Sequence, residues 1–484
     1  MQKAKENMKV RSFEIITLVL LFIFYIGIAL FDGPVWCVDS PSYTSMDFSR
    51  EPVYPLFLAL FRNLFIRLGW TGQLYGLESY LTAVIMVQSL LWIFAAFGLG
   101  IYVKKHMGAT LGYVAVFFQV AVSALNRFFA NRGSMYSECI MTEALAMPLF
   151  VIANIFLWQL FEDWRVLNLV KVFIITLLIA SIRKQMLIVL LTWMGTAFIL
   201  YLLNRRTASV KKFFICLALG IVAFVGISEL DKAYNLAIRG VYVGHTGNSK
   251  GAVDTLMYTV DDSSKELFAG YSDSEKFPEL DVLYARIYDI CMENGYAIEA
   301  SPDFVSRDEL SIAKSDWVSI AEHYADVYDH IGFDVLLPCC DEYVNEHFPE
   351  LGLVGHQIKE DQVESEIMKV LMKDDLKKLF SKDGQAFRFV FAANVIKAFV
   401  ISNANISPRI LVKASAVIYI LFICAFILAM IKGKRRAVLM SLVVIIGLAV
   451  NCLVTGSMIF PQPRYMCYSM GLFYLCLGCD ILYR

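Results

Sequence analysis

Four clusters of charged residues interrupt the apolar stretches of this 484-residue chain. The first, DGPVWCVDSPSYTSMDFSREPVYPLFLALF, carries Asp32, Asp39 and Asp47 just past an apolar run. One carboxylate held near a membrane surface can accept the proton of an attacking hydroxyl. Solvated loop carboxylates with N-cap roles are the plainer reading of any one of the three. The second cluster, SECIMTEALAMPLF, holds Ser137-Glu138 and Thr142-Glu143. Glu143 falls about a turn inside an apolar helix, where an unpaired carboxylate is expensive but the helix dipole favours an anion. The third is Arg183-Lys184, which reads as a snorkelling pair or as a grip on an anion. The fourth is PQPRY, Pro461 to Tyr465. Its Arg464 is a cation beside a helix N-terminus, where the dipole disfavours it. A bound anion explains that placement better than packing does, and a guanidinium fork can hold two phosphate oxygens.

The elements that position these groups follow from composition. Apolar residues make up 58% of the chain and charged residues 18%, against about 45–50% and about 25% in soluble globular proteins. This excludes an ordinary cytosolic enzyme, a disordered chain and a basic nucleic-acid-binding protein. The net charge of −1 conceals an asymmetry: residues 231–386 hold 14 Lys and Arg against 31 Asp and Glu, and the remainder holds 29 against 13. An acidic, water-facing domain is therefore set into a basic, apolar membrane body.

Apolar runs predict ten membrane spans, at 13–31, 80–103, 109–125, 139–160, 169–182, 186–203, 213–230, 410–431, 437–454 and 467–483. The 172–203 stretch is too long for one helix, and a hairpin turn at Arg183-Lys184-Gln185 removes the cost of burying that trio. Alternation then places Lys3, Lys5, Lys9 and Arg11, Lys104-Lys105, Arg165 with Lys171, Arg205-Arg206 with Lys211-Lys212, Lys432 with Lys434-Arg435-Arg436, and Arg484 on one side. By the positive-inside rule that side is cytoplasmic, as are both termini. Residues 32–79, 126–138, 231–409 and 455–466 fall on the outer face. The first run reads as a retained helix, since it is too long for a signal-peptide core and no A-x-A-like cleavage site follows. Within the first outer loop, Tyr54 to Trp70 is apolar but short, the pattern of a helix lying in the interface. A second such segment is expected near 387–400.

Three parts result: an N-terminal membrane module (1–230) with the loop 32–79, an acidic extracytoplasmic domain (231–386), and a C-terminal membrane module (387–484). The acidic domain shows helical patterns near 279–297, 306–331 and 361–381, with a helix start at Ser301-Pro302; strands near 252–260 are not excluded. No internal repeat is evident. His323, Asp326 and His330 share helical spacing, although solvated His and Asp residues are far commoner than ligands, and the sequence requires no metal. Most of the eleven cysteines sit in apolar stretches, as small buried hydrophobes do. A bridge from Cys339 or Cys340 to Cys291 is the other option outside the membrane.

Asp39-Ser40 followed by Tyr43, then Arg50-Glu51-Pro52-Val53-Tyr54-Pro55-Leu56-Phe57, Thr142-Glu143-Ala144-Leu145 with Pro148-Leu149-Phe150, Arg183 after a short fifth span, and Arg464-Tyr465 come in an order and at a common outer location. Together they resemble the GT-C membrane glycosyltransferases, in particular the protein mannosyltransferase and aminoarabinose transferase-like members of family 39. The resemblance covers about 1–230 and 405–484 and leaves the acidic domain aside. It implies an all-α polytopic membrane protein: a GT-C-like bundle of about ten transmembrane helices with an interfacial helix in the first outer loop, to which the helical patterns of the acidic stretch add a mainly helical domain outside.

The resemblance further implies an inverting transfer of sugar from a polyprenyl-phosphate donor in the lipid bilayer to a cell-envelope glycan, lipid or protein; the short loops and short basic N-terminus fit a bacterial plasma membrane, with an endoplasmic-reticulum enzyme as the alternative. Asp39 would be the catalytic base. Arg464, Arg183 and Lys184 would hold the donor phosphate, with Tyr43, Arg50, Tyr54, Glu143 and Tyr465 in support. Ser40 stands where many members carry a second carboxylate, so no bridging metal is implied and no cofactor is required, with a divalent metal left as an option. A polysaccharide polymerase or ligase, a lipid-linked sugar transporter or flippase, and a membrane receptor with an acidic ligand-binding domain are the competing readings. Only the glycosyltransferase depends on one carboxylate among Asp32, Asp39 and Asp47.

Overall fold

The computed structural model describes residues 2–128, 133–203, 207–272, 274–301, 317–378, 385–404 and 408–483. The basic pair Arg205-Arg206, Arg484, Pro302 of the expected helix start, and the opening of the 306–331 pattern lie outside the described residues.

The fold is all-α. The chain opens with α1 (Gln2–Asp32), the short α2 (Ser40–Thr44) and α3 (Val53–Arg67). After a small hairpin follow α4 (Ser79–Met107), α5 (Ala109–Phe128), α6 (Glu143–Glu162), α7 (Val166–Ile182), α8 (Leu187–Leu203) and α9 (Thr207–Arg239). The acidic stretch folds as α10 (Lys250–Tyr258), α11 (Leu280–Glu293), α12 (Trp317–Asp329), a π-helical segment His330–Leu336, α13 (Leu337–His347), α14 (Leu353–Lys378) and α15 (Gln385–Ala404). The chain closes with α16 (Pro408–Ile431), α17 (Arg435–Met458), the single turn α18 (Pro463–Met466) and α19 (Met470–Leu482).

Among the described residues, ten helices are long and apolar enough to cross a membrane. The number agrees with the expectation; the membership differs at two places. Val166–Ile182 is a shorter apolar helix of 17 residues, at the lower end of what a ~30 Å hydrocarbon layer needs. Phe387–Ala404, expected in the interface, meets the length and apolarity of a span. Its Val390 and Ala393, however, belong to the core of the acidic unit, and buried Lys397 donates to the carbonyl of Ala321 at 3.0 Å. Tertiary packing thus claims part of this helix that composition alone assigns to lipid.

Two compact units are present: residues 1–244, 402–451 and 463–484 form one, and 245–401 with 452–462 form the other. In the first, α4 and α5 cross closely. A Cβ on Gly112 would stand 2.9 Å from the carbonyl oxygen of Gly100, so only glycine permits that approach. Pro148 lies inside α6 and removes the amide that would reach the carbonyl of Ala144. Trp92 on α4 fills the vacancy, donating Nε1–H to that carbonyl at 2.9 Å. Strands Gln73–Leu74 and Leu77–Glu78 pair antiparallel across Tyr75-Gly76, both at positive φ, as a two-residue hairpin of the I′ kind requires. Tyr75 is held there because its ring packs on Gly33 and its hydroxyl donates to the carbonyl of Leu30 at 2.6 Å.

In the acidic unit, apolar faces of α10 to α15 close around Val253, Met257, Tyr284, Ile287, Tyr324 and Ile367. Residues 250–258 are helix, which replaces the strand alternative. The helical stripe of Val253, Leu256 and Met257 toward the core explains why. Cys291, Cys339 and Cys340 are buried in this core as free thiols.

Candidate functional site

The first loop is fastened before it presents any charge. Val35 N–H donates to the Glu138 carbonyl at 2.9 Å, Ile140 N–H donates back to Val35 at 3.0 Å, and Ser40 Oγ donates to the Ile140 carbonyl at 2.8 Å. Gln88, inside α4, donates to the carbonyls of Ser137 and Cys139 at 3.0 and 3.1 Å and accepts from the Tyr54 hydroxyl at 3.0 Å. Tyr54 and Tyr43 meet edge to face, 5.2 Å between centroids. Tyr54, wholly buried, is thus a prop beneath the loop and not part of its charged face.

The three loop carboxylates have separate fates. Asp32 is paired with Arg127, whose guanidinium also stands 3.6 Å from the buried Glu138. Burial pushes the Glu138 carboxyl up to about 7, against the opposing pull of the Met135 amide and Arg127. Asp47 accepts from the amide and hydroxyl of Ser49 at 2.9 and 2.6 Å, a local turn bond. Asp39 alone receives two arginines: Arg50 Nη2 at 3.0 Å on Oδ1 and Arg464 Nη1 at 2.9 Å on Oδ2. Partial burial raises its pKa, but Arg464 and Arg50 outweigh that and hold the carboxyl below its usual value. Its side chain stays 23% exposed.

Glu143, fully buried in the first turn of α6, is the second centre. Arg183 Nη1 donates to its Oε1 at 2.6 Å and to Thr142 Oγ1 at 3.0 Å. Arg464 Nε stands 3.7 Å from the same Oε1, so Arg464 joins the two carboxylates. Arg464 also donates to the Tyr465 hydroxyl at 2.8 Å, and Arg183 lies over the Tyr465 ring at 5.0 Å. Arg50 is fixed by Ser42 Oγ at 2.8 Å and lies over the Tyr43 ring at 4.7 Å. Burial pushes the Tyr43 hydroxyl up to about 12, so it stays protonated. The Lys184 amide donates to Glu51 Oε1 at 2.6 Å, tying the α7–α8 turn to the first loop.

Asp39, Tyr43, Arg50, Glu143, Arg183, Arg464 and Tyr465 therefore share one network, with Lys184 at its edge. Gln185 and Asn451, which sequence reasoning missed, orient it. Gln185 donates to Asn451 Oδ1 and to the Tyr465 carbonyl, each at 3.0 Å, and Asn451 donates to that carbonyl at 2.9 Å. For Asn451 the available signal was an amide placed inside an apolar span, which is costly unless partnered; Gln185 lies in the turn trio. On the acidic unit, His323 has both ring nitrogens engaged, by Tyr258 at 2.9 Å and Ser301 at 3.1 Å, while His330 pairs with Asp334 at 2.6 Å. The spacing of His323 with His330 reflects packing and surface pairing.

A cavity of about 250 Å³ lined by Phe161, Glu162, Trp164, Tyr201, Lys212 and Cys216 lies at the far end of α6. The 20 residues of that helix separate it by roughly 30 Å from Glu143. No protein-family model, curated protein or solved structure matches this chain.

Proposed function

We propose that this multi-pass membrane protein is a glycosyltransferase moving a sugar from a polyprenyl-phosphate donor to an acceptor hydroxyl on the outer face of a plasma membrane. The observation that carries the reading is Asp39 clamped between Arg50 and Arg464, with Arg464 reaching on toward Glu143 and Arg183. A carboxylate base and guanidinium forks within one small network are the groups a glycosyl phosphate needs: one for the proton, the others for the leaving anion.

The donor phosphate would draw Arg464 from Asp39, since a phosphate offers the fork two oxygens of higher charge. Loss of that contact makes Asp39 a stronger base at the moment the donor is bound. The acceptor oxygen then attacks the anomeric carbon from the face opposite the phosphate. Its proton passes to Asp39, the carbon–oxygen bond to phosphate breaks, and the lipid phosphate leaves against Arg464 and Arg183 with inversion at the carbon. The apolar outer side of α3, with Leu56, Leu60 and Leu64 exposed, offers a wall for the isoprenoid chain.

The test is incubation of purified full-length protein with a panel of polyprenyl-phosphate sugars and envelope glycan, lipid or protein acceptors, reading glycosylated product and released lipid phosphate. Release that disappears in Asp39→Asn supports the proposal. Movement of intact lipid-linked sugar across vesicles without release would instead assign a flippase.

A further inference from the structure

In the acidic unit, α13 and α14 bring Asp341, His356 and Glu360 to one point. One ligating atom from each side chain, a ring nitrogen and two carboxylate oxygens, lies within 4.8 Å of the others. His356 Nε2 approaches Asp341 Oδ1 to 3.4 Å, while the other ring nitrogen, Nδ1, faces Glu360 Oε2 at 3.7 Å, so an ion takes one of the two nitrogens together with the two carboxylate oxygens, all within 4.8 Å. Both separations exceed ordinary N–H···O lengths. Nε2 is shut off from solvent and has no hydrogen-bond partner among the described residues. A buried imidazole nitrogen facing a carboxylate without bonding to it is an unsatisfied group.

The spacing fits an ion between the side chains. Zinc–nitrogen and zinc–oxygen bonds of about 2.0–2.1 Å set the ligands of a tetrahedral site about 3.3 Å apart. The His356–Asp341 approach is close to that edge. The four-residue interval between His356 and Glu360 puts both on one side of α14, and Asp341 comes from the neighbouring helix. One nitrogen and two oxygens suit a zinc-class ion; calcium and magnesium take oxygens alone. His356 and Glu360 are largely covered, while the Asp341 side chain is 56% exposed and opens a path for the ion.

We propose that Asp341, His356 and Glu360 bind a zinc-class divalent ion that ties α13 to α14, with its fourth position open to water. The site is separate from the Asp39 network and carries no step of the proposed transfer.

The experiment uses untagged full-length protein, stripped with chelator and titrated with Zn²⁺ by calorimetry, and with Co²⁺ for the visible absorption of a tetrahedral ion. The expected result is saturable uptake of one ion with a rise in thermal midpoint. Asp341→Asn and His356→Ala should each abolish that rise and weaken binding at least about tenfold, while His330→Ala leaves both unchanged. Asp341 is exposed, so its variant keeps the core and still folds. Absence of saturable uptake, or uptake equal to wild type in Asp341→Asn and His356→Ala, overturns the proposal.

Discussion

Arg464 and Asp39, 425 positions apart in sequence, are joined by a 2.9 Å ion pair between Nη1 and Oδ2. The pair ties the turn before the last helix to the first loop. It also holds the Asp39 carboxyl below its ordinary value, so the group is ionised throughout the neutral range. Asp39→Asn keeps the shape and one acceptor oxygen while removing the proposed base. Transfer is expected to fall by about 10²–10⁴-fold with membrane insertion and abundance unchanged, as measured by product formation per mole of folded protein. Wild-type rates in this variant would remove Asp39 from the role.

Arg464→Lys separates charge from fork geometry. A lysine retains one positive charge but cannot hold two oxygens in a plane, nor reach Asp39, Glu143 and the Tyr465 hydroxyl together. The expected effect is a raised KM for the lipid-phosphate donor with a smaller change for the acceptor, read from initial rates at varied donor. If donor saturation is unaltered, Arg464 serves only to fasten the loop.

Glu143→Gln tests the second centre. The carboxylate is fully buried, and its loss leaves Arg183 facing a neutral amide. Removing one partner of a buried pair costs about 3–5 kcal/mol, so the thermal midpoint should fall. If the cluster accepts anions, inorganic phosphate should restore more stability to Glu143→Gln than to wild type. Equal phosphate effects in the two proteins would mean that the vacated position takes no anion.

The charged clusters were legible in the sequence because a charge at the end of an apolar run is costly and must be answered there. Arg183, Arg464, Glu143 and Asp39 stood out on that ground. Which of three aspartates meets Arg464 was not legible, since that depends on partners contributed from afar: Arg127 takes Asp32 and Arg464 takes Asp39, while Asp47 is held locally by Ser49. Gln88 and Asn451 were passed over because a single amide barely alters the hydropathy of a span, and Gln185 stood out only as a member of the turn trio. α15 shows the limit of composition, since Val390 and Ala393 are as apolar as lipid-facing residues yet pack into the acidic unit.

The acidic unit should grow more stable on acidification. Asp254 is fully buried, and burial raises its carboxyl to about 7, with Lys250 at 3.0 Å pulling down and Asp329 pushing up. Glu364 is raised to about 8, by burial first and then by Asp361, Asp254 and Glu360, against Lys250. Asp375 is raised to about 7 by burial, with Lys378 opposing and Asp374 and Asp261 adding to it. A carboxyl raised in the folded state binds its proton more tightly there than in the unfolded chain. Its contribution is complete below the ordinary carboxylate value and is lost as pH rises through the folded value. Stability of this unit should therefore decline from mildly acid pH up to about 8, by roughly 1.4 kcal/mol per pH unit for each group titrating. Hydrogen exchange of residues 250–258 and 353–378, measured in chelator, should report slower opening at acid pH. Glu364→Gln should slow exchange at neutral pH and flatten its pH dependence, because a neutral amide no longer has to be ionised in the core. A wild-type opening free energy that is constant or rising across this range would contradict the assignment.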